Sequence, residues 1–281
     1  MKLSVAIINY NDYQNTINFI DSIKDYNVIS HIIVVDNLST DGSLVELKKI
    51  NNPKVKIIAN PINSGYGEGI NIAARYLINN RVDGILMVCN TDIVIDSEAD
   101  IIKMLNEYKD NSVAVVAPII DENGTMRYGF RINTIKEELL MSIPKLYKKY
   151  VNKYHFYHEY NHVVDCIMGC MFMVKLDVLK QIDYFDSNMF LYYEENVLGL
   201  KLKNYGKKSV VCDGVVVKHN HSKTIDKSIK RINKYKILKQ SQRYYLKKYL
   251  NANFISLFIF DVIVFLTIVA LNIKGIFERG K

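Results

Sequence analysis

The chain has 281 residues, 49% of them hydrophobic, and a formal net charge of +8. A hydrophobic content this high excludes a generally disordered protein, and the length suits one large domain or a domain with an appendage. The excess charge is concentrated between Lys227 and Lys248, where nine lysines and arginines occur without an acid. Nucleic acid is one partner for such a segment, but an apolar stretch follows it directly. We therefore favour a membrane surface and expect no nucleic-acid partner.

The four cysteines, Cys89, Cys166, Cys170 and Cys212, lie mainly in apolar runs and show no CxxC spacing. This pattern predicts reduced core thiols of a cytosolic compartment rather than a disulfide framework or a zinc site. The first apolar run, residues 3–8, is too short for a secretory signal. We therefore expect the folded part of the chain to remain inside the cell.

Short apolar runs alternate with amphipathic stretches through the first third of the chain. Alternation at this spacing predicts right-handed βαβ crossovers, and therefore an α/β fold with a Rossmann-like, mostly parallel sheet covered by helices on both faces. The predicted strands are residues 3–8, 32–36, 55–59 and 85–89, and the predicted helices are residues 12–25, 43–50 and 69–79.

Polar residues follow each of these four strands, in residues 9–12, 36–43, 60–69 and 90–92. The carboxyl ends of parallel strands meet at one edge, where open α/β sheets bind their ligands. Turn and capping chemistry is the alternative for any one cluster, with Ser43 or Asp41 as an N-cap and the glycines at positive φ. Four clusters at one edge favour a ligand site.

The strand predicted at residues 85–89 is an unbroken apolar run that ends in Asn90-Thr91-Asp92. A carboxylate at the end of a buried strand, with an amide two residues earlier on the same side, offers oxygen ligands for a hard cation. Asp92 and Asn90 are thus candidates for a metal site. A polar turn leaving the strand is the alternative.

A longer series of motifs continues in the same order along the chain. It comprises Val34-Val35-Asp36-Asn37 with Asp41-Gly42-Ser43, the repeated glycines between Asn63 and Asn71, Asn90-Thr91-Asp92, residues 169–174, Phe185-Asp186, residues 190–195 and His219. These motifs resemble the family 2 glycosyltransferases of the GT-A fold, especially their rhamnosyltransferase-like members. The resemblance covers about residues 3–222.

The resemblance implies that a nucleotide-sugar lies along the N-terminal strand ends. Asp36 would contact the base or ribose, with Asp41 and the segment of residues 9–11 close by. The loop of residues 63–71 would lie near the diphosphate, because glycines let the backbone approach a ligand and a helix N-terminus favours an anion. The implied nucleotide-sugar contacts are Asn9, Asn11, Asp36, Asp41, Asn63, Gly65, Asn71, Asn90 and Glu194.

By the same resemblance, Asp92 would bind Mg²⁺ or Mn²⁺ bridging the diphosphate, which stabilises the leaving nucleoside diphosphate. Asn90 stands where the wider superfamily often has the first Asp of an Asp-x-Asp motif. His219, after a strand predicted at residues 215–218, would supply a further contact to the metal or the diphosphate. His221 is an alternative for that role.

The pair Glu194-Glu195 is the implied source of the general base. Glu195 would deprotonate the acceptor hydroxyl as it attacks the anomeric carbon from the face opposite the diphosphate, and one carboxylate suffices for such an inverting displacement. The chain departs from the family pattern twice, because Glu195 replaces the usual Asp and Val197 occupies a position that is often Asp. Acids enriched at a surface helix N-terminus are the alternative interpretation.

Residues 147–162 combine five tyrosines and three histidines with lysines. Aromatic-rich loops stack on sugar rings, so this segment is a candidate for acceptor binding. The favoured alternative is a helical insertion whose aromatic side packs on the sheet.

A basic helix and an apolar helix are predicted after the main domain, so we divide the chain into residues 1–225 and 226–281. Residues 254–273 have the length of a membrane span, but Asp261 lies near their middle. A single span, a helix lying in the membrane interface, and a helix buried against the body or a second subunit all remain open. If the helix spans, the basic residues before it would hold the protein on the cytoplasmic face.

These inferences predict an inverting, metal-dependent glycosyltransferase that builds a cell-surface polysaccharide precursor on a lipid-linked, polyprenyl acceptor. The resemblance favours L-rhamnose from dTDP-rhamnose, with a UDP-hexose donor as the alternative. A non-catalytic GT-A-like module that binds nucleotide or glycan also stays open, as does a homo-oligomer. A nucleotidyltransferase is disfavoured, because residues 9–12 lack the glycine-rich motif and basic residue that it needs.

Overall fold

The structure, a computed structural model, describes residues 2–151, 155–220 and 231–279. The strands are β1 (Leu3–Asn9), β2 (Ile29–Asp36), β3 (Val55–Ala59), β4 (Ile85–Cys89), β5 (Ile93–Val94), β6 (Val113–Glu122), β7 (Thr125–Arg127), β8 (Val163–Val164), β9 (Met171–Lys175) and β10 (Lys208–His219). They form one sheet in the order β3-β2-β1-β4-β9-β6-β10-β5, with β7 beside β6 and β8 beside β10.

The helices of the described residues are α1 (Tyr13–Ile23), α2 (Ser43–Leu47), α3 (Tyr66–Asn79), α4 (Glu98–Asn106), α5 (Ile135–Ser142), α6 (Pro144–Tyr150), α7 (Leu176–Gln181), α8 (Glu194–Asn204), α9 (Arg231–Lys248) and α10 (Phe254–Arg279). One 3₁₀ turn, Glu107–Lys109, follows α4.

The first four strands of the sheet order, β3-β2-β1-β4, are all parallel. In their register Asn9 lies opposite Asp36, so the polar residues that follow β1 and β2 meet at one edge, as the sequence predicts. The sheet is mixed beyond β4, because β9 runs antiparallel to both β4 and β6, whereas β6 and β10 are parallel. The predicted mostly parallel α/β sheet is confirmed.

Two apolar layers pack on opposite faces of the sheet. One contains the inner sides of α1 and α4, including Phe19 and Ile101, and the other contains those of α3 and α8, including Leu77 and Leu198. Burial on both faces explains why the central strands read as continuous apolar runs rather than as alternating patterns. All four cysteines are buried and free of disulfides, as expected.

The basic helix α9 packs directly on the main domain. Tyr245 is fully buried in a cluster with Met189 and Val197, and Leu246 is buried with Phe260 of α10. The boundary predicted at residue 225 lies in the segment 221–230, outside the described residues. His221, Tyr154 and the beginning of the basic segment, Lys227 to Lys230, also lie outside them.

Candidate active site

The ends of β1 and β2 are joined by a buried polar network. The side-chain nitrogen of Asn9 donates to Oδ1 of Asp36 at 2.8 Å and to Oγ of Ser39 at 3.1 Å. The other Asp36 oxygen accepts the backbone N–H of Ser39, and Ser39 Oγ accepts that of Asn11. Asn9 and Asp36 are each 1% exposed, so this network is a rigid base for the loops above it.

Asp41 is exposed and bonds within its own loop. Its Oδ1 accepts the backbone N–H of Ser43 at 2.9 Å and the Ser43 hydroxyl at 2.5 Å, beside Gly42 with φ +89°. This is a local turn, and the N-cap residue of α2 is Gly42 without a side-chain cap bond, so neither Asp41 nor Ser43 is the N-cap that the sequence offers as the alternative. A nucleotide contact from Asp41 stays a prediction.

Asn37 connects this edge to the glycine-rich loop, which sequence reasoning did not anticipate. Its amide nitrogen donates to the carbonyl of Gly65 at 2.9 Å, and its oxygen accepts from Asn60 at 2.7 Å. Asn63 in turn accepts the backbone N–H of Gly65 through its side-chain oxygen. The sequence signals for Asn37 were its place in the polar cluster after β2 and in the motif Val34-Val35-Asp36-Asn37, but neither gave it a role.

Gly65 is required by close backbone packing. It has φ +91°, and a Cβ there would overlap the carbonyl of Phe190. That carbonyl accepts the backbone N–H of Tyr66, the first residue of α3, at 3.0 Å. The helix therefore begins at Tyr66, three residues before the predicted start, because the loop that contains Phe190 binds its N-terminus.

Asn71 holds the two halves of the domain together. Its side chain is fully buried, donates to the carbonyl of Phe185 and accepts the Phe185 backbone N–H, each at 2.9 Å. Its amide nitrogen also donates to Glu68. This geometry places Asn71 behind the glycine-rich loop, where it orders the loop.

Asn90 lies where the glycine-rich loop meets the second half of the chain. Its side-chain oxygen accepts the Tyr66 hydroxyl at 2.8 Å, and its backbone N–H donates to Cys170. Burial raises the pKa of Tyr66 well above its ordinary value, so the hydroxyl keeps the proton that it donates.

Asp92 and His219, the two predicted metal ligands, lie close together because β5 pairs antiparallel with the end of β10, and metal binding by them stays a prediction. Oδ1 of Asp92 lies 3.4 Å from Nε2 of His219, and Oε1 of Glu122 lies 3.8 Å from Nδ1 of the same ring. Hydrogen bonding to Asp92 and then to Glu122 raises the pKa of His219 to about 9. Glu122 was not predicted.

The Asp92 carboxylate fits Mg²⁺ or Mn²⁺, which favour oxygen ligands, whereas imidazole is more typical of other transition metals and binds only after losing its proton. No three His, Cys, Asp or Glu side chains in the described ranges form a complete metal cage. Mg²⁺ commonly uses one or two protein carboxylates and completes its shell with substrate phosphates and water. Asp92 therefore suits an ion that takes most of its ligands from a bound molecule, with His219 beside it.

The two adjacent glutamates begin α8 at the floor of a cavity. The residue before them, Tyr193, has φ +70°. Oε1 of Glu194 is buried with no hydrogen-bond partner among the described residues, and Glu195 packs so closely on Gly169 that a Cβ there would overlap its carboxylate. Burial and then Glu195 raise the pKa of Glu194 to about 8, and burial also raises the pKa of Glu195.

This cavity has a volume of about 370 Å³ and joins parts of the chain that are distant in sequence. Of the predicted site residues, Asn90, Glu194 and Glu195 line it. Tyr147 and His155 of the aromatic segment also line it, whereas Tyr157 packs against the core and Tyr160 bonds to Val211. The packing of Tyr157 agrees with the favoured interpretation, and acceptor binding by this segment stays a prediction. Helix α9 adds Leu238, Lys239 and Gln242, which sequence reasoning assigned to a separate appendage.

Glu138 on α5 also lines the cavity and accepts hydrogen bonds from three other parts of the chain. This carboxylate has no exposed surface and accepts hydrogen bonds from Asn133, Tyr193 and Gln242 at 2.8, 2.6 and 2.7 Å. Gln242 accepts in turn from the buried ammonium of Lys239 at 2.7 Å. No motif marks these residues, because their sequence separations reach 104 positions.

Comparison with known proteins gives a family match over residues 4–183 to the model described as Glycosyl transferase family 2. The chain is also 28% identical over 201 residues to the low-salt glycan biosynthesis hexosyltransferase Agl10 of Haloferax volcanii. That alignment covers 69% of this chain and 59% of the relative, so the chain spans about three fifths of the relative's length.

Two solved structures illustrate the similarity of fold. The mannosyltransferase PcManGT from Pyrobaculum calidifontis, in complex with GDP-Man and Mn²⁺, has a TM-score of 0.57 at 13% identity, covering 100% of this chain and 81% of that one. GalNAc-T7 with UDP, GalNAc and Mn²⁺ has a TM-score of 0.58 at 16% identity, covering 78% of this chain and 44% of that one. At these identities the likeness shows the fold alone.

Proposed function

The chain belongs to glycosyl transferase family 2, and from this premise we propose that it transfers one sugar from a nucleotide donor to a hydroxyl group of a glycan acceptor, with inversion. The observation that carries the proposal is the cavity lined both by Asn90 and by the buried pair Glu194 and Glu195. Carboxyl groups buried at the floor of a cavity are suited to proton transfer.

On the donor side, Asp36 supports the base or ribose with Asn9, Asn11 and Asp41 nearby, and the loop containing Asn63 and Gly65 faces the diphosphate. Buried hydrogen bonds to Asp36 support this role, since a pre-ordered loop loses little entropy on binding. Asn71 acts behind the loop by fixing it to Phe185.

Asp92 and His219 would hold Mg²⁺ or Mn²⁺, whose charge stabilises the leaving nucleoside diphosphate. The pairing of these two residues across β5 and β10 supports that assignment.

Glu195 acts as the general base and accepts the proton of the attacking hydroxyl. Its raised pKa supports this role, because a stronger base takes a hydroxyl proton more readily once it is itself ionised. Glu194, whose raised pKa keeps it protonated near neutral pH, donates a hydrogen bond to the sugar.

L-Rhamnose from dTDP-rhamnose is the proposed donor, and the acceptor is a lipid-linked precursor of a surface polysaccharide. A UDP-hexose is the second candidate, which the name of the Haloferax relative, a hexosyltransferase, favours. The basic α9 and the apolar α10 support a place at the cytoplasmic face of the membrane, where both substrates would meet.

The first test is a thermal-shift panel with UDP, dTDP, GDP and CMP, each with and without Mn²⁺. A metal-dependent rise in melting temperature with dTDP would support the rhamnosyl donor, because a ligand that binds only the folded state stabilises it. A rise with UDP alone would favour the UDP-hexose. No response to any nucleotide would contradict the proposal and favour a non-catalytic module.

Two variants then test the residue roles. Asp92→Asn and Glu195→Gln should each lower transfer by roughly 100-fold or more while the fold is kept. The matched controls are Asp21→Asn and Glu46→Gln, which change exposed carboxylates that pair only with neighbouring lysines. Full activity in either site variant would disprove that residue's role.

A further inference from the structure

Helix α10 carries an uncovered apolar row on its outer side. Its side chains lie on one helical face and are 39 to 81% exposed. They are Phe254, Ile255, Phe258, Val262, Phe265, Leu266 and Val269. Soluble monomers rarely leave so long a row of aromatic and aliphatic side chains in contact with water. We call these seven residues the outer row.

The inner side of α10 touches the protein at a few positions, and 6% of its apolar window is buried. Phe260 is 1% exposed against Leu246 of α9, and Val264 packs against the same cluster. Ser256, Ile259 and Ile263 line an open groove with α5. Contacts to the body therefore extend over residues 256–264.

These contacts conflict with a transmembrane orientation. The one window of the described chain that is long and apolar enough to cross a membrane is Phe254–Asn272. Its contacts to α5 and α9 extend over about half of its length, which is about 28 Å at about 1.5 Å per residue. Inserting it would carry both helices, with the exposed charges of Lys136 and Lys236, into the hydrocarbon core.

Asp261 argues for the same orientation. Both of its oxygens accept hydrogen bonds from Arg243 of α9, at 2.7 and 2.9 Å, and both side chains are nearly half exposed. A bidentate pair at the edge of the outer row can remain at the level of lipid headgroups. At the centre of a bilayer both ions would lose their hydration.

The charge beside the outer row is positive. Lys236 and Lys247 are exposed on the face of α9 that also carries Arg243, which is paired with Asp261, and α9 itself contains no acid. Anionic lipid headgroups are the complementary partner for such a stripe next to an apolar row.

We propose that α10 lies flat in the surface of an anionic lipid bilayer, with its outer row in the acyl boundary and the exposed bases of α9 at the headgroups. This rests on the membrane association proposed above and specifies its geometry. Lys239 and Gln242, which are buried on α9, line the cavity that also contains Glu195, so α9 connects the membrane-facing surface to the cavity.

The orientation of α10 is tested by measuring how deeply introduced tryptophans lie in the bilayer, from the quenching of their fluorescence by brominated lipids. The chain has no tryptophan, so Phe254→Trp, Phe258→Trp and Phe265→Trp each place a single reporter in the outer row. A flat helix requires equal, shallow quenching by brominated lipids at all three positions, whereas a spanning helix would make Phe265→Trp deep and Phe254→Trp shallow. Tyr205→Trp, an exposed aromatic at the far end of α8, is the control that should not be quenched.

Vesicle co-flotation measures the affinity. Phe258→Asp and Phe265→Asp should weaken binding to phosphatidylglycerol-containing vesicles by roughly tenfold or more, while Val45→Asp, at an exposed apolar position on α2, should not. Position-dependent depth, or a stable dimer in which the outer row is protected and lipid is not bound, would overturn the proposal. The nucleotide thermal shift of each variant is measured in parallel, so a loss of membrane binding is distinguished from a failure of the proposed transferase.

Discussion

The hydroxyl of Tyr193 donates a 2.6 Å hydrogen bond to Oε2 of Glu138, a carboxylate with no exposed surface. Tyr193 has a left-handed backbone conformation and directly precedes the two glutamates at the start of α8. The bond therefore links α5 to the residue just before α8. Because Tyr193 fixes where α8 begins, we expect it to affect the position of Glu195 in the cavity.

Tyr193→Phe tests this positioning role. The variant should lower kcat by about tenfold with little change in KM for the donor, because Glu138 loses one of its buried donors and the start of α8 loosens. Tyr205→Phe, at the other end of α8, is the matched control. A variant that lowers only the melting temperature would show that the bond is structural alone.

Gly169 makes room for the proposed base. Gly169→Ala should push the Glu195 carboxylate out of place and reduce transfer by roughly 100-fold, since an added Cβ would overlap it. Glu195→Asp, one methylene shorter, should partly restore activity when it is combined with Gly169→Ala. Equal activities of the single and double variants would mean that the two sites are not coupled.

Stability should fall as pH rises through neutral values. Glu194 has its pKa raised from 4.5 to about 8 in the folded protein, so the folded state holds the proton more tightly than the unfolded state does. Its contribution to the free energy of unfolding is complete below about pH 4.5 and is lost as pH rises through about 8. Melting temperatures from pH 5 to 8.5 measure this loss.

Glu194→Gln should reduce that pH dependence without abolishing it, because Glu195 also has a raised pKa and remains. Glu46→Gln, which changes an exposed glutamate, should leave the pH profile unchanged. A profile of Glu194→Gln identical to that of the native chain would contradict the assignment.

The pair Arg243 and Asp261 should contribute little to stability in water. Both side chains are nearly half exposed, so Asp261→Asn is expected to change the free energy of unfolding by about 1 kcal/mol or less. Chemical denaturation in lipid-free buffer measures this value. A loss of several kcal/mol would mean that the ion pair holds the two helices together.

The strand and helix pattern of the N-terminal half was predictable because burial on both sides of the sheet leaves clear apolar runs. Strands β3 and β4 have the predicted bounds. Strand β10 is longer than predicted, since it covers Lys208–His219 with a register shift around Gly214, whose φ is +63°. In the sequence Gly214 suggests that a strand ends, but in the structure it lies at an irregularity within one continuous strand.

The predicted site residues were found through short motifs, and the residues that support them were not. Asn37 and Glu122 act through neighbours brought close by the sheet order, and Glu138 through helices that begin far apart in the chain. For Asp41 and Asn71 the motif was recognised, but the role was not. Both were predicted to contact the nucleotide-sugar, yet their observed hydrogen bonds stabilise loops. A motif identifies the loop and leaves open which of its atoms face the ligand.

The strand order, in which β9 lies between β4 and β6, leaves the sheet incomplete while the chain is being synthesised. One edge of β4 is completed by β9, whose first residue, Met171, comes more than 80 positions after Cys89. Until β9 has been synthesised, the nascent N-terminal half exposes an unpaired, apolar strand edge of the kind that aggregates or recruits chaperones. Truncated forms that end before residue 171 should therefore be insoluble, although they contain most of the proposed nucleotide-binding loops.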